Sequence, residues 1–228
     1  MDRRKFLRES ASIIAGLCLP YRAIGAAADK ELIFCLDWSD SMYDEETRHY
    51  VIQRDGHVAA LKDPDIVKLF LSQKVYVAAL LWSGVWGDDI RLIFSGMIST
   101  KQDLEGLAAA IESRVPKISS PSGDTWHNIP LEFISGKRRI GKKRIIDLST
   151  NQGITSRESQ VKSFNESSKL YRHLMTTVNV LAIGVNKSGV EVLRQAVQTP
   201  DGFTLDIENW KDYVPAIRKK IIKELMAV

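Results

Sequence analysis

The residues with the clearest chemical potential follow a short apolar stretch near the beginning of the chain. The stretch LIFCLD, which ends at Asp37, indicates a buried strand, and Ser39 and Ser41 follow at alternate positions. A helix cap, formed by Ser41 or Asp44, would need only one of these side chains and would leave Asp37 unexplained. A buried carboxylate without a partner is unfavourable, whereas hard divalent ions take oxygen ligands that include one or two carboxylates. Asp37, Ser39 and Ser41 are therefore candidate metal ligands, with helix capping as the alternative.

The order of predicted elements places these residues at the edge of a sheet. Apolar strands alternate with helices, which indicates an α/β domain of three layers: a doubly wound, mostly parallel sheet covered on both faces, with one antiparallel edge strand joined by a hairpin. In such sheets, ligands bind beyond the carboxyl ends of the strands. The predicted strands are ELIFCLD, VYVAALLWSG, IRLIFSGMI, RIIDLST, VNVLAIGV and FTLDI, and the predicted helices cover residues 45–61, 103–115, 126–134, 158–175, 189–197 and 209–225.

Residues 30–228 resemble the von Willebrand factor A domain with its metal-ion-dependent adhesion site. The first loop of that site carries Asp-x-Ser-x-Ser, which Asp37, Ser39 and Ser41 match. The second carries a threonine before a short helix, matched by Thr125 in SGDTWHNI, and the third normally reads Asp-Gly, where this chain has Asn151 in LSTNQG. The stretches YDEETRHYVIQRDGHVAALKDPDIV, LLWSG and IIDLS are also similar to a bacterial group of exported proteins that have this domain and no assigned function.

The resemblance implies a binding module that holds Mg²⁺, or Mn²⁺ or Ca²⁺, and in which the acidic side chain of a protein partner completes the ion's coordination. Asn151 keeps an acceptor oxygen but lacks the charge of the usual aspartate, which predicts a weaker site. Asp124 is a second possible source of charge, and Trp38 and Trp126 beside the proposed ligands are candidates for a partner-binding rim. Two alternatives stay open: a metal-assisted hydrolase, which lacks an evident general base in the sequence, and a metal-free interaction domain. We therefore favour a binding protein over an enzyme.

The first 28 residues have the composition of an export signal. Arg3 and Arg4 precede a short apolar run, and Ala26 and Ala28 form an A-x-A pattern. The paired arginines followed by Phe-Leu resemble a twin-arginine signal, with an ordinary secretory signal as the alternative. The apolar run is too short to span a bilayer. The sequence thus predicts a signal peptide over residues 1–28, a single domain over residues 29–228, no transmembrane segment and a periplasmic location.

The basic character of the chain comes largely from this signal. The whole chain carries a formal charge of +4, but residues 1–28 hold five basic and two acidic side chains, so residues 29–228 carry only +1. We expect no nucleic-acid partner. The basic stretch 137–144 and the closing helix, with Arg218, Lys219, Lys220 and Lys223, would form a basic rim opposite the metal site that could contact an anionic surface.

Several single residues have structural interpretations. Cys35 and Trp82 lie in apolar strands and are predicted to be core residues. His127 follows Thr125 by two positions and is predicted to be exposed on a helix. Asp147 lies inside the fourth strand, where we expect its carboxylate to be hydrogen-bonded to a neighbouring loop or helix end.

Overall fold

The computed structural model describes residues 28–42, 48–83, 90–113, 127–153 and 176–227. Within these ranges, six strands form one sheet with the order β3-β2-β1-β4-β5-β6. Strand β3 is antiparallel to β2, and the other neighbouring pairs are parallel. This confirms the predicted α/β architecture. The strands are β1 (Ala28–Asp37), β2 (Val75–Trp82), β3 (Arg91–Ile98), β4 (Gly141–Thr150), β5 (Thr176–Ile183) and β6 (Thr204–Ile207).

Helices cover both faces of this sheet, because each central strand has apolar side chains on both of its faces. Leu32, Phe34 and Leu36 of β1 pack towards α1, α2, α3 and α6, while Ile33 and Cys35 pack towards α4 and α5. The helices are α1 (His49–Leu61), α2 (Pro64–Leu71), α3 (Lys101–Ser113), α4 (Asn128–Ser135), α5 (Lys187–Ala196) and α6 (Tyr213–Met226), with short 3₁₀ turns at Asp40–Met42 and Trp210–Asp212. Among the described helices, none has the length and apolar character needed to cross a membrane.

Helix α2 is not among the helices predicted from the sequence. The tetrapeptide KDPD, residues 62–65, follows the predicted helix at 45–61 and begins the next one. The Asp63 side chain accepts hydrogen bonds from the backbone N–H groups of Asp65 and Ile66, and Pro64 occupies the first helical turn. An N-cap aspartate followed by proline is a helix start signal that the sequence did contain.

Helix α1 begins at His49 rather than residue 45. Three other predictions lie outside the described residues: the helix at 158–175, the hairpin turn after β2 and the proposed signal.

Two basic residues that were predicted to belong to the basic rim are buried. Arg144, in β4, donates from Nε to Glu31 Oε2 at 3.0 Å and from Nη2 to Glu31 Oε1 at 3.2 Å. Its Nη1 donates to the backbone carbonyl of Ile134 at 3.1 Å. Lys220, in α6, is completely buried. Charged side chains are buried when they are paired, and their partners lie far away in the sequence, which is why charge patterning alone assigned both to the surface.

The ion pair with Lys220 explains why the carboxylate of Asp147 can be buried inside β4. Lys220 Nζ forms an ion pair with Asp147, which lies three residues before the end of β4, and donates a hydrogen bond to Glu224 Oε1 at 3.0 Å. Asn179 Nδ2 donates to the same Glu224 oxygen at 3.0 Å. Burial, followed by the charge of Asp147, raises the pKa of Glu224 to about 8, so Glu224 is neutral at pH 7. Asp147 therefore has the structural role expected for it, but its partner is a lysine in the middle of the closing helix rather than a loop or helix end.

Candidate metal site

The carboxylate of Asp37 lies at the carboxyl end of β1 and is completely buried. Its Oδ1 accepts a hydrogen bond from the backbone N–H of Ser39 at 2.9 Å, and its Oδ2 accepts one from Thr150 Oγ1 at 3.3 Å. Both donors are neutral. Within the described part of the chain, no basic side chain forms an ion pair with Asp37. The fold thus places a desolvated carboxylate at the sheet edge where α/β proteins bind ligands.

The two serines and Asn151 converge on the same place from two loops. Ser39 Oγ lies 3.2 Å from Ser41 Oγ, and Ser41 Oγ donates to Asn151 Oδ1 at 3.0 Å. Asn151 Nδ2 in turn donates to the backbone carbonyl of Ser41 at 3.3 Å. The 3₁₀ turn at Asp40–Met42 holds Ser41 in this position, since the Met42 N–H donates to the Ser39 carbonyl at 2.9 Å. Four of the five predicted ligands are therefore together, with the Asn151 amide oxygen directed at the serines.

These oxygens are close enough together to ligate one ion. The two oxygen–oxygen distances, 3.2 and 3.0 Å, are those of hydrogen-bonded pairs, and these hydrogen bonds would be given up when the oxygens bind a cation. Among the described residues, no group of three or more His, Cys, Asp or Glu side chains could hold a metal. The donor set is one carboxylate, two hydroxyls and an amide oxygen, which fits a hard divalent ion.

The electrostatics of Asp37 also fit a cation. Burial raises the pKa of the Asp37 carboxyl to about 6, and hydrogen bonds from Ser39 and Thr150 offset only part of this effect. At pH 7 the group is mostly ionised, so the protein holds a buried negative charge whose hydrogen-bond donors, among the described residues, are neutral. A bound divalent cation would supply the missing positive charge.

Gln53 fixes the backbone of Asp37, and nothing in the sequence pattern identified it. Its Oε1 accepts from the Asp37 N–H at 3.2 Å and its Nε2 donates to the Asp37 carbonyl at 2.8 Å. The buried amide thus makes the pair of hydrogen bonds that a neighbouring strand residue would make. Helix α1 is thereby fixed to the last residue of β1, and the position of the carboxylate is determined by both elements.

His127 and Thr150 form a second support for Asp37. His127 Nε2 lies 3.0 Å from Thr150 Oγ1 and 3.1 Å from the backbone carbonyl of Gln152, and Thr150 Oγ1 reaches Asp37. The prediction that His127 is exposed was wrong: its ring is buried, and burial lowers its pKa to about 4. His127 is therefore a neutral structural residue that joins the start of α4 to the third loop.

The rest of the proposed site is only partly visible. Thr125, Asp124 and Trp126 lie outside the described residues, so their roles stay predictions. Trp38 follows Asp37 directly and is half-buried. Its ring meets that of Tyr50 edge to face, with centroids 5.0 Å apart. Cys35 and Trp82 are buried as predicted.

Solved structures with this fold include several adhesion and assembly proteins. Proximal thread matrix protein 1 from the mussel byssus, with a zinc-occupied MIDAS motif, has a TM-score of 0.58 and 18% identity, and the match covers 87% of this chain and 46% of that chain. The pilus adhesin SpaC from Lactobacillus rhamnosus GG has a TM-score of 0.62 and 14% identity, with 88% and 31% covered. The VWA domain of SpRpn10 has a TM-score of 0.53 and 11% identity, with 86% and 95% covered.

At these identities the likeness establishes the fold alone. The chain spans less than half the length of the mussel protein, so the activity of that whole protein does not transfer. No curated protein matches this chain in sequence. Residues 27–228 match the family described as "Protein of unknown function (DUF1194)". The chain belongs to that family, and its fold is that of the von Willebrand factor A domain.

Proposed function

We propose that this chain is an exported, metal-dependent binding module. Asp37, Ser39, Ser41 and Asn151, together with Thr125 from the second loop, would hold a Mg²⁺-like ion at the carboxyl edge of the sheet. The acidic side chain of a protein partner would complete the ion's coordination, and the resulting contact would be non-covalent. Export to the periplasm, by the signal predicted at residues 1–28, would bring the module to that partner.

The observation that carries this proposal is the buried Asp37 carboxylate, which has no basic partner among the described residues and lies in one loop cluster with two serine hydroxyls and the Asn151 amide oxygen. When bound, the ion would supply a positive charge exposed at the rim, to which a carboxylate can bind. The protein's part is to orient the ligands: Gln53 holds the Asp37 backbone, Thr150 holds its Oδ2 and the Asp40–Met42 turn places Ser41. These supports make a site that keeps its shape before the ion arrives.

The chemistry beside the site favours binding over hydrolysis. A hydrolase would need a general base near the ion with a pKa close to the working pH. Two titratable side chains lie near Asp37 among the described residues. The pKa of His127 is lowered to about 4, and its Nε2 already contacts Thr150 and Gln152. Burial raises the pKa of Tyr213 well above its usual value, so this hydroxyl stays protonated. His127 is thus a poor base, and the site is better suited to holding a ligand than to activating water.

Titration calorimetry with Mg²⁺, Mn²⁺ and Ca²⁺ tests the metal site directly. We expect Mg²⁺ and Mn²⁺ to bind more tightly than Ca²⁺, because a site with one carboxylate suits an ion that keeps several waters, whereas Ca²⁺ takes about 6–8 oxygen ligands. Water-proton relaxation of the Mn²⁺-loaded protein should then fall when an acidic peptide is added, since a carboxylate displaces a bound water, and a glutamine-for-glutamate peptide is the control. Absence of binding by all three ions would refute the metal site, and would favour the metal-free interaction domain instead.

Replacement of Asn151 by aspartate is expected to tighten Mg²⁺ binding roughly tenfold. The gross attraction of an added charge about 4–5 Å from the ion is a few kcal/mol at an effective dielectric of about 20, and repulsion from Asp37 and desolvation remove most of it. The affinity is measured by calorimetry. Asn209→Asp, which adds the same charge after β6, three strands from β1, is the matched control. Equal effects of the two variants would indicate a general charge effect and remove Asn151 from the ion's ligands.

A further inference from the structure

The edge of the sheet opposite the candidate metal site concentrates basic side chains. We define the lower edge as the surface at the amino ends of the parallel strands, where α1, α2 and α6 end and α3 begins. Its exposed basic residues include Lys62, Lys68, Lys74, Lys101, Lys142 and Lys223. Residues 29–228 carry a formal charge of only +1, so a basic lower edge means that the remainder of the domain is acidic. The charge is separated across the molecule, and one face of it is suited to an anionic surface.

Several acidic residues at this edge are paired with basic ones. Asp63 and Asp65 both pair with Arg218, at 2.6 and 2.7 Å. Asp29 pairs with Lys142 at 2.8 Å, and Glu105 pairs with Lys101 at 3.6 Å. Lys62, Lys68 and Lys101 surround an open hollow of about 620 Å³ between α2 and α3, whose other lining residues include Val67 and Leu71. The hollow is therefore basic at its rim and apolar at its floor.

Exposed apolar side chains lie at the same edge. Leu71, at the end of α2, is 43% exposed, and Met226, at the end of α6, is 64% exposed. The start of β1 connects the two. Lys30 Nζ donates to the carbonyl of Leu225, the residue before Met226. The N–H of Asp29 donates at 2.8 Å to the carbonyl of Lys74, three residues after Leu71. A third exposed apolar residue, Val214, lies at the other end of α6.

We infer that the lower edge docks on an anionic phospholipid bilayer. The lysines would lie among the headgroup phosphates while Leu71 and Met226 enter the boundary of the acyl chains, which is the pattern of interfacial membrane binding. The exposed apolar side chains of Leu71 and Met226 beside the lysines support a membrane over an acidic protein, which would need only the positive charges. Docked in this way, the domain would direct its candidate metal site away from the membrane.

Binding to vesicles of phosphatidylethanolamine and phosphatidylglycerol, compared with phosphatidylcholine alone, tests this inference. The full chain is used throughout, so that residues 1–27 contribute equally to every variant. We expect the unmodified chain to prefer the anionic vesicles and to lose that preference as salt is added. The variant with Lys62→Gln, Lys68→Gln and Lys101→Gln should bind them roughly a hundredfold more weakly, because each lysine contributes about 1 kcal/mol near such a surface.

Arg91→Gln, Lys187→Gln and Lys211→Gln together are the matched control. All three residues are exposed at the opposite edge, so this variant loses the same charge and should bind nearly as well as the unmodified chain. Leu71→Ser with Met226→Ser should weaken binding about tenfold at unchanged charge. Circular dichroism confirms that each variant is folded. Equal loss in the two charge variants, or no preference of the unmodified chain for anionic vesicles, would overturn the inference. Binding of polyglutamate without binding of vesicles would do the same and would indicate an acidic protein partner.

Discussion

Replacing Asp37 by asparagine is expected to abolish binding of divalent cations. Asp37 is the single carboxylate among the four described candidate ligands, and the other three contribute neutral oxygens. A carboxylate charge about 4 Å from a divalent cation gives about 8 kcal/mol of gross attraction at an effective dielectric of 20. The cost of burying the carboxylate offsets about half of it, so we expect a loss of roughly a thousandfold in affinity. Calorimetric titration with Mg²⁺ and Mn²⁺ measures the change. Ser41→Ala, which removes one hydroxyl and no charge, should weaken binding far less.

The same replacement should stabilise the metal-free domain at neutral pH. The pKa of Asp37 is raised from 3.8 to about 6 in the folded protein because the carboxylate is buried. The unfolded chain therefore ionises first as the pH rises, and the metal-free protein loses stability between about pH 4 and 6, by an amount on the order of 3 kcal/mol. An asparagine can still accept from the Ser39 N–H and donate to Thr150, and it does not ionise.

Chemical unfolding in the presence of a chelator distinguishes this effect from a structural role. The gain from Asp37→Asn should be absent below about pH 4, grow between about pH 4 and 6 and stay constant above that range. Saturating Mg²⁺ should stabilise the unmodified protein and leave the variant unchanged. A variant that is less stable than the unmodified protein at pH 7 in chelator would show that Asp37 serves the fold, and the case for a metal site would lose its main support.

The parts of the fold and site that could be predicted are those determined by residues close to one another in the sequence. Uninterrupted apolar strands alternating with helices gave the layered architecture, because such strands must be covered on both faces. Asp37, Ser39 and Ser41 lie next to one another in the chain, so their convergence follows from one loop at one strand end. Asn151 was placed by resemblance to the third loop, and the structure brings its amide oxygen to the serines.

The residues that support the site could not be predicted because their partners are remote in sequence. Gln53 is an ordinary polar residue of a helix until the fold sets it against the backbone of Asp37. His127 gave no signal of burial, because the hydroxyl and carbonyl that satisfy its ring come from residues 150 and 152. Sequence periodicity reports which face of an element is apolar, but it does not report which polar groups will meet across two elements.

For Asp147, the buried carboxylate of β4, the sequence did contain a signal that indicated its partner. Ile145, Asp147 and Ser149 share one face of a central strand, so a polar partner had to come from the covering helix. Lys220 and Glu224 are spaced four residues apart on the closing helix and therefore project together. Their pairing with Asp147 was overlooked because lysines in a helix rich in Lys and Arg were assigned as a group to the solvent.

Replacing Lys220 by methionine is expected to destabilise the domain by about 3–5 kcal/mol. The substitution preserves most of the side-chain volume but removes the cation that offsets Asp147, and a buried carboxylate without its partner is one of the most unfavourable changes a core can undergo. Domains of this kind have a total stability of about 5–15 kcal/mol, so the melting temperature should fall by roughly 10 °C. Thermal and urea unfolding measure the change. Lys219→Met, at the exposed neighbouring position, is the control and should alter stability by about 0.5 kcal/mol or less.

A second substitution separates the loss of charge pairing from a packing defect. Asp147→Asn in the Lys220→Met background removes the unpaired charge while keeping the shape of the side chain and its capacity to bond Glu224, which is neutral at pH 7 because its pKa is raised to about 8. Breaking a buried pair is unfavourable, whereas replacing both members with neutral groups is often close to neutral. The double variant should therefore recover most of the lost stability. Asp147→Asn alone should be less destabilising than Lys220→Met, because Lys220 keeps Glu224 as a partner and the loss of the Asp147 charge favours ionisation of Glu224. If the two single losses instead add in the double variant, the ion pair contributes nothing, and the role of Lys220 is to fill space between α6 and the sheet.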